Sequence, residues 1–90
     1  MTLSAAERRA IRTSRLFLVL ADATWFHDAH TQAEAAHAQQ CGVPCRVLVA
    51  PGVRLPETAF QGITDLRIVR SQGPAADVAQ IQAWLEETPA

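Results

Sequence analysis

The sequence has neither an excess of charge of one sign nor a long apolar run. Its 90 residues carry eight basic and nine acidic side chains, for a formal net charge of -1. That balance favours neither a nucleic-acid-binding protein nor a membrane-surface protein. No apolar run reaches the roughly 18 residues that span a bilayer, and the N-terminus lacks the apolar core of a signal peptide. We therefore expect a cytoplasmic protein with no nucleic-acid and no membrane partner.

Cysteine is scarce as well. The two cysteines, Cys41 and Cys45, are separated by three residues, which is not the C-x-x-C spacing of redox enzymes. Cytosolic thiols stay reduced, so we expect two small buried apolar side chains rather than a disulfide. A Gly-rich phosphate loop and a Ser-His-Asp arrangement are also missing.

What the sequence does contain is the alternation of apolar runs and helical patterns typical of an α/β domain. The run Leu16 to Leu20 is apolar without alternation, as in a strand of a parallel sheet that is covered on both faces. Further strands are predicted over Cys45 to Ala50 and Leu66 to Arg70. We expect one domain over residues 1–90, a three-layer Rossmann-like (flavodoxin-like) fold with a short, mainly parallel three-stranded sheet in sequential order.

Three helices are predicted around this sheet. Ser4 followed by Glu7 is a capping-box pattern, which begins a helix over residues 5–13. Its Arg8, Arg9 and Arg12, with Arg15, form either a solvated face or a surface for phosphate or carboxylate groups. Residues 28–44 predict the crossover helix of a βαβ unit, and Gly73-Pro74 opens the last helix. Residues 55–62 predict only one or two helical turns.

The crossover helix concentrates the polar side chains of interest. At 100° per residue, its Ala29, Ala33, Ala36 and Gln40 share one face, which we expect against the sheet. A parallel stripe carries His30, Glu34, His37 and Cys41, an acceptable spacing for zinc ligands. One straight helix cannot close a tetrahedron, and a second element would be needed, with His27 or Cys45 the nearest candidates. We expect no metal and no cofactor. The stripe is then a polar helix flank, and a zinc site is the alternative interpretation.

A loop of polar and aromatic residues precedes this helix. It holds Asp22, Trp25 and Phe26 at the carboxyl end of the first strand, where open α/β sheets bind ligands. The aromatic rings either stack on a ligand or close over the core. Glu34, near the same edge, is either a nucleophile or stabiliser for a sugar cation, or a solvated glutamate.

Several of these residues resemble a known family. Asp28-Ala29-His30-Thr31-Gln32-Ala33-Glu34, then Ala38 and Gly42-Val43-Pro44, is similar to the D-x-G-T-x-x-E…A…G-x-P pattern of the nucleoside 2-deoxyribosyltransferase-like superfamily. Val19-Leu20-Ala21 and the aromatic loop also resemble TIR domains. The resemblance spans Leu16 to Pro51. It differs in His30, which replaces the usual glycine, and in an earlier strand and helix that the families place before this region.

The resemblance implies that Glu34 attacks or stabilises C1′ of a ribosyl group. It makes Glu34 the catalytic candidate, with these candidates for substrate binding: Asp22, Trp25, Phe26, Asp28 and His30. Our leading hypothesis is a minimal domain for a nucleoside, nucleotide or NAD-like ligand, with N-glycosidic cleavage possible only in an oligomer. The alternative is a non-catalytic interaction or regulatory module. The bare apolar edge of the first strand predicts a homodimer.

Overall fold

The computed structural model describes residues 3–56, 60 and 62–88. In chain order these form helix α1 (Ala5–Arg12), strand β1 (Phe17–Ala21), a short 3-10 turn (Trp25–His27), helix α2 (Ala29–Gln40), strands β2 (Cys45–Val49) and β3 (Leu66–Arg70), and helix α3 (Pro74–Glu87). Each of the three predicted strands and the three main predicted helices is present, with ends shifted by at most four residues. The helical turns predicted over residues 55–62 fall partly outside the described residues.

The three strands form one open parallel sheet in the order β1-β2-β3. The register is in step, with Val19 opposite Val47 and Val47 opposite Ile68. Every residue of β2 is buried, as expected for a central strand covered on both faces. This confirms the small α/β Rossmann-like fold predicted from the apolar runs.

The two faces of the sheet can be assigned from alternation along the strands. Val19, Ala21, Cys45, Val47 and Val49 share one face and pack with Phe60 into one core cluster. Phe17 on the same face also contacts the cluster that joins α1 to α2, so both helices belong to this side. On the opposite face, Leu20 and Leu48 line a cavity together with Asp77 of α3. Helix α3 therefore forms the third layer, with Trp84 only 2% exposed.

Local signals explain where the helices begin and end. Ser4 and Glu7 exchange side-chain and backbone hydrogen bonds of 3.1 and 3.0 Å, so the predicted capping box of α1 is confirmed. The carboxylate of Asp28 caps α2. That helix ends at Gln40. Gly42, two residues later, has a φ of 72° that suits glycine, and Val43 N–H donates to the Ala38 carbonyl at 2.9 Å.

The rotation of α2 about its axis was predicted wrongly. The buried residues are Ala35 and Ala38, whereas Ala29, Ala36 and Gln40 are exposed. Alanines occur on every side of this helix, so the sequence does not define an apolar face, and packing against both β2 and α1 decides the rotation. Within the described residues, no helix has the length and apolarity needed to cross a membrane.

Candidate functional site

A cavity opens at the carboxyl edge of the sheet, on the face covered by α3. It has a volume of about 230 Å³, and the carboxyl ends of β1 and β2, the residue after β3 and the first turn of α3 all contribute to it. Its lining consists of Leu20, Ala21, Asp22, Leu48, Ala50, Pro51, Ser71 and Asp77. We call it the carboxyl-edge cavity. It lies where parallel α/β sheets hold their ligands, because the loops that follow the strands diverge there.

Asp22 is held in this cavity wall by a local turn. Its Oδ1 accepts hydrogen bonds from the Thr24 hydroxyl at 2.8 Å, the Thr24 N–H at 3.0 Å and the Trp25 N–H at 3.0 Å. These bonds, above all the one from the Thr24 hydroxyl, lower the pKa of Asp22 below its usual value. Asp22 is therefore a carboxylate at neutral pH, and its Oδ2 is not used by the turn.

Asp77 supplies the second carboxylate, from the first turn of α3. The Ser71 hydroxyl donates to Asp77 Oδ2 at 2.6 Å, and the Gln72 N–H lies 3.4 Å from Oδ1. These contacts tie the start of α3 to the segment that leaves β3. Neither Asp77 nor Ser71 is among the candidate site residues named from the sequence. The available signal for Ser71 was its position directly after a strand, and for Asp77 its position in the first turn of the next helix.

The aromatic residues that follow Asp22 are Trp25 and Phe26, and Trp25 does not line the carboxyl-edge cavity. The half-buried Trp25 packs its ring against Phe60, with ring centroids 4.9 Å apart, as part of the core around β2. Of the two possibilities for this ring, closing over the core is the one observed. The predicted substrate contact of Phe26 concerns a side chain that lies outside what the structure describes.

Asp28, the next candidate, acts as the N-cap of α2. Its Oδ1 accepts from the N–H groups of His30 and Thr31 at 2.9 and 3.3 Å. It is not part of the carboxyl-edge cavity lining. In this position Asp28 sets the start of the helix that carries His30 and Glu34.

His30 and Glu34 meet Glu7 of α1 rather than the cavity. His30 Nε2 lies 2.5 Å from Glu7 Oε2 and 3.9 Å from Glu34 Oε1, and each of the three side chains is about one-third exposed. We call this group the α1–α2 cluster. Because α1 and α2 pack on the face opposite α3, the cluster and the carboxyl-edge cavity are on different sides of the sheet.

The α1–α2 cluster also contains the best metal donor set in the described part of the chain. One donor atom from each of its three residues lies within 4.8 Å of the others. Zinc ligands at about 2.0 Å in a tetrahedron are about 3.3 Å apart, so these donors would have to shift to hold one. The second element is thus Glu7, not His27 or Cys45. The hydrogen bond between His30 and Glu7 already accounts for the short contact, and we still expect no metal.

The remainder of the stripe does not join this cluster. Cys41 Sγ lies 3.5 Å from His37 Nε2, further along α2. Cys45 points into the core, and burial raises the pKa of its thiol to about 11. Both cysteines are free thiols; Cys45 is buried as expected, whereas Cys41 is only partly buried.

Comparison with protein-family models, with curated proteins and with solved structures finds no match to this chain.

Proposed function

We propose that the protein binds a nucleoside through its ribosyl group in the carboxyl-edge cavity. The single observation that carries this proposal is the pair of carboxylates, Asp22 and Asp77, held by neighbouring hydroxyl and N–H groups at the end of a parallel sheet. Carboxylate oxygens accept hydrogen bonds from sugar hydroxyls, and the position is the usual one for ligands of this fold. The resemblance to ribosyl-processing families supports the same ligand class.

The size and charge of the cavity favour a sugar over a phosphate. Its volume of about 230 Å³ is below the roughly 300 Å³ at which sites for drug-sized ligands begin. A ribose fits inside, with the base directed outwards past the apolar surface of Leu20 and Pro51. Two carboxylates repel a phosphate group, which also carries negative charge. Nucleosides are therefore the proposed ligands, ahead of nucleotides and NAD-like molecules.

The position of Glu34 supports nucleoside binding by a single chain without cleavage of the N-glycosidic bond. Cleavage of an N-glycosidic bond by Glu34 requires its carboxylate at C1′ of the bound sugar. Glu34 contacts His30 in the α1–α2 cluster, on the other side of the sheet from Asp77. The proposed function is thus ligand binding, and any cleavage would need a second chain to bring a ribosyl group to Glu34.

We also propose that this second chain is another copy, paired through β1. Phe17 N–H donates to Pro44 and Ala21 C=O accepts from Ala50, so the odd-numbered residues of β1 bond to β2. Leu18 and Leu20 therefore direct their backbone groups to the free edge. Leu20 is 64% exposed, and β1 has no proline or charge to discourage pairing.

The edge is self-complementary in an antiparallel arrangement. With a twofold axis at Val19, Leu18 of each copy lies opposite Leu20 of the other, and the two residues exchange both backbone hydrogen bonds. Arg15 before one strand then approaches Asp22 after the other. Light scattering at tens of micromolar should report a dimer, and Leu20→Arg should give a folded monomer. A wild-type monomer at that concentration would refute the pairing.

A thermal-shift titration tests the ligand proposal. A ligand at ten times its Kd stabilises the native state by about 1.4 kcal/mol, which raises the Tm of a domain of this size by roughly 6–11 °C. We expect such a rise with at least one ribonucleoside, and a smaller one with the free base or with NAD. Asp22→Asn keeps the one acceptor oxygen that its turn uses, and Asp77→Asn keeps an acceptor for the Ser71 hydroxyl. Both variants remove a negative charge, and both should weaken binding.

Glu86→Gln is the matched control, because Glu86 is an exposed acid of α3 that does not line the cavity. It should bind like the wild type. If no ribonucleoside stabilises the protein, or if all three variants respond equally, the carboxyl-edge cavity is not a nucleoside site. The alternative of a non-catalytic interaction module would then stand alone.

A further inference from the structure

A second and larger cavity lies at the opposite, amino edge of the sheet. Its volume is about 740 Å³, within the roughly 300–1,000 Å³ of small-molecule sites. The end of α1, the segment between α2 and β2, and the end of α3 surround it. Its charged lining residues are Arg12, Arg15, Arg46, Asp65 and Glu87. We call it the amino-edge cavity; it shares no lining residue with the carboxyl-edge cavity.

The unusual member of this lining is Arg46. It is 4% exposed, although arginine is among the residues that are almost never fully buried without a partner. Its Nη1 donates to the carbonyls of Cys45 and Asp65 at 3.0 and 3.2 Å and to Asp65 Oδ1 at 2.9 Å. All of these bonds leave from one nitrogen.

One donor of the Arg46 guanidinium, its Nε, is unsatisfied. This nitrogen is buried and has no hydrogen-bond partner among the described residues. A buried donor that stays unpaired has lost its hydrogen bonds to water and gained none in return, so it destabilises the fold. Because Arg46 itself lines the amino-edge cavity, an anion that enters the cavity could supply the hydrogen-bond acceptor that Nε lacks.

Two more guanidinium groups are available at the same place. Arg12 ends α1 and Arg15 follows it; both are exposed, and neither is among the ion pairs formed by the described side chains. The carbonyls at the end of a helix would repel an anion. Here the hydroxyls of Thr13 and Ser14 donate to the carbonyls of Arg9 and Ala10 at 2.8 and 2.6 Å, which reduces that repulsion.

The charge balance of the lining favours an anion. Three guanidinium groups against two carboxylates leave a net charge of +1, and one of the carboxylates, that of Asp65, is already paired with Arg46. Arginine forks bind phosphate oxygens in pairs of parallel hydrogen bonds, which are stronger than neutral ones. The cavity also has more room than a bare phosphate ion needs.

We propose that the amino-edge cavity binds the phosphate group of a small organic ligand, held by Arg12, Arg15 and Arg46. The site is independent of the proposed nucleoside site, since it lies at the other end of the strands. For Arg12 and Arg15 the sequence allowed two interpretations, a solvated face or a surface that binds phosphate or carboxylate groups. The proposed site assigns both residues to phosphate binding. The buried Arg46 fixes the position of the phosphate, and the two exposed arginines close around it.

Titration with inorganic phosphate, followed by calorimetry and by Tm, tests this site against sodium chloride of equal ionic strength. We expect saturable stabilisation by phosphate and a tighter complex with ribose 5-phosphate. Loss of one charge-assisted bidentate contact should weaken binding about tenfold. Arg12→Gln and Arg15→Gln alter exposed side chains, so both variants should fold and show this loss.

Arg9→Gln is the matched control. Arg9 is exposed on the same helix and does not line the cavity, so its substitution removes the same charge outside the proposed site. It should change phosphate affinity by less than about twofold, as expected for a screened surface charge. No effect of phosphate beyond that of chloride would overturn the proposal. So would an equal loss in Arg9→Gln, which would indicate general charge screening.

Discussion

Removal of the Asp65 carboxylate should destabilise the fold measurably, because it leaves the buried Arg46 guanidinium without its counter-ion. The Arg46 side chain is 5% exposed, whereas that of Asp65 is 57% exposed. Breaking a fully buried pair costs about 3–5 kcal/mol, and a fully exposed pair contributes about 0–1 kcal/mol. Because Arg46 is buried and Asp65 is exposed, we expect an intermediate value. Asp65→Ala should lower the free energy of unfolding by about 1–2 kcal/mol, or the Tm by roughly 4–16 °C for a domain of this size.

A double-mutant cycle with Arg46→Met, followed by urea and thermal unfolding, separates the pair from other effects of Asp65. Methionine fills a similar volume and has no buried charge, so Arg46→Met alone should leave stability within about 1 kcal/mol of wild type. In that background, Asp65→Ala should cost almost nothing. An equal loss in both backgrounds would refute the reasoning, since it would show that the Asp65 carboxylate does not act through Arg46.

Four further outcomes are expected. Because burial raises the pKa of Cys45 to about 11, a disulfide reagent at neutral pH should modify Cys41 alone in the native protein and both thiols in urea; two fast native thiols would contradict this. Asp28→Ala should lose about 1 kcal/mol of stability through its missing cap, whereas Asp28→Ser should stay close to wild type. Hydrogen bonds from Ser4, first that of its N–H, lower the pKa of Glu7 below 4.5. Its contribution is therefore present above pH 4.5 and lost as the pH falls through the folded pKa, so the acid limb of a stability-pH curve should be shallower in Glu7→Gln, and an unchanged limb would exclude this role. Elemental analysis of protein purified without added metal should find no zinc; one equivalent lost only on unfolding would show that the α1–α2 cluster binds it.

The strands and the layer order follow from features that sequence carries directly. A parallel strand that is covered on both faces must be apolar throughout. The buried strand β2 follows this rule except for Arg46, whereas β1 is apolar but leaves Leu20 64% exposed at the edge of the sheet. The capping box at Ser4 marks the start of α1 for a similarly local reason. The rotation of α2 did not follow, because a helix with alanine on every side has no preferred face until its neighbours are in place.

The candidate sites depended on contacts between distant segments. Asp22 was found from its position after a strand, but its partner Asp77 reaches the cavity only because α3 docks against the end of β3. Glu7 meets His30 through the packing of α1 on α2, which no local pattern specifies. In the sequence, Arg46 is one polar residue inside an apolar strand. That its Nε is buried without a hydrogen-bond partner follows only from the three-dimensional structure.

The most direct test of the central claim is a chemical-shift map of nucleoside binding. Titration of 15N-labelled protein with each of the four common ribonucleosides should move the amide signals of residues 20–22, 48–50 and 71–77 for at least one of them. The signals around the amino-edge cavity, residues 12–15 and 41–46, should stay in place. Absence of any shift with all four nucleosides, or shifts centred on the amino edge, would contradict a ribosyl site at the carboxyl edge of this sheet.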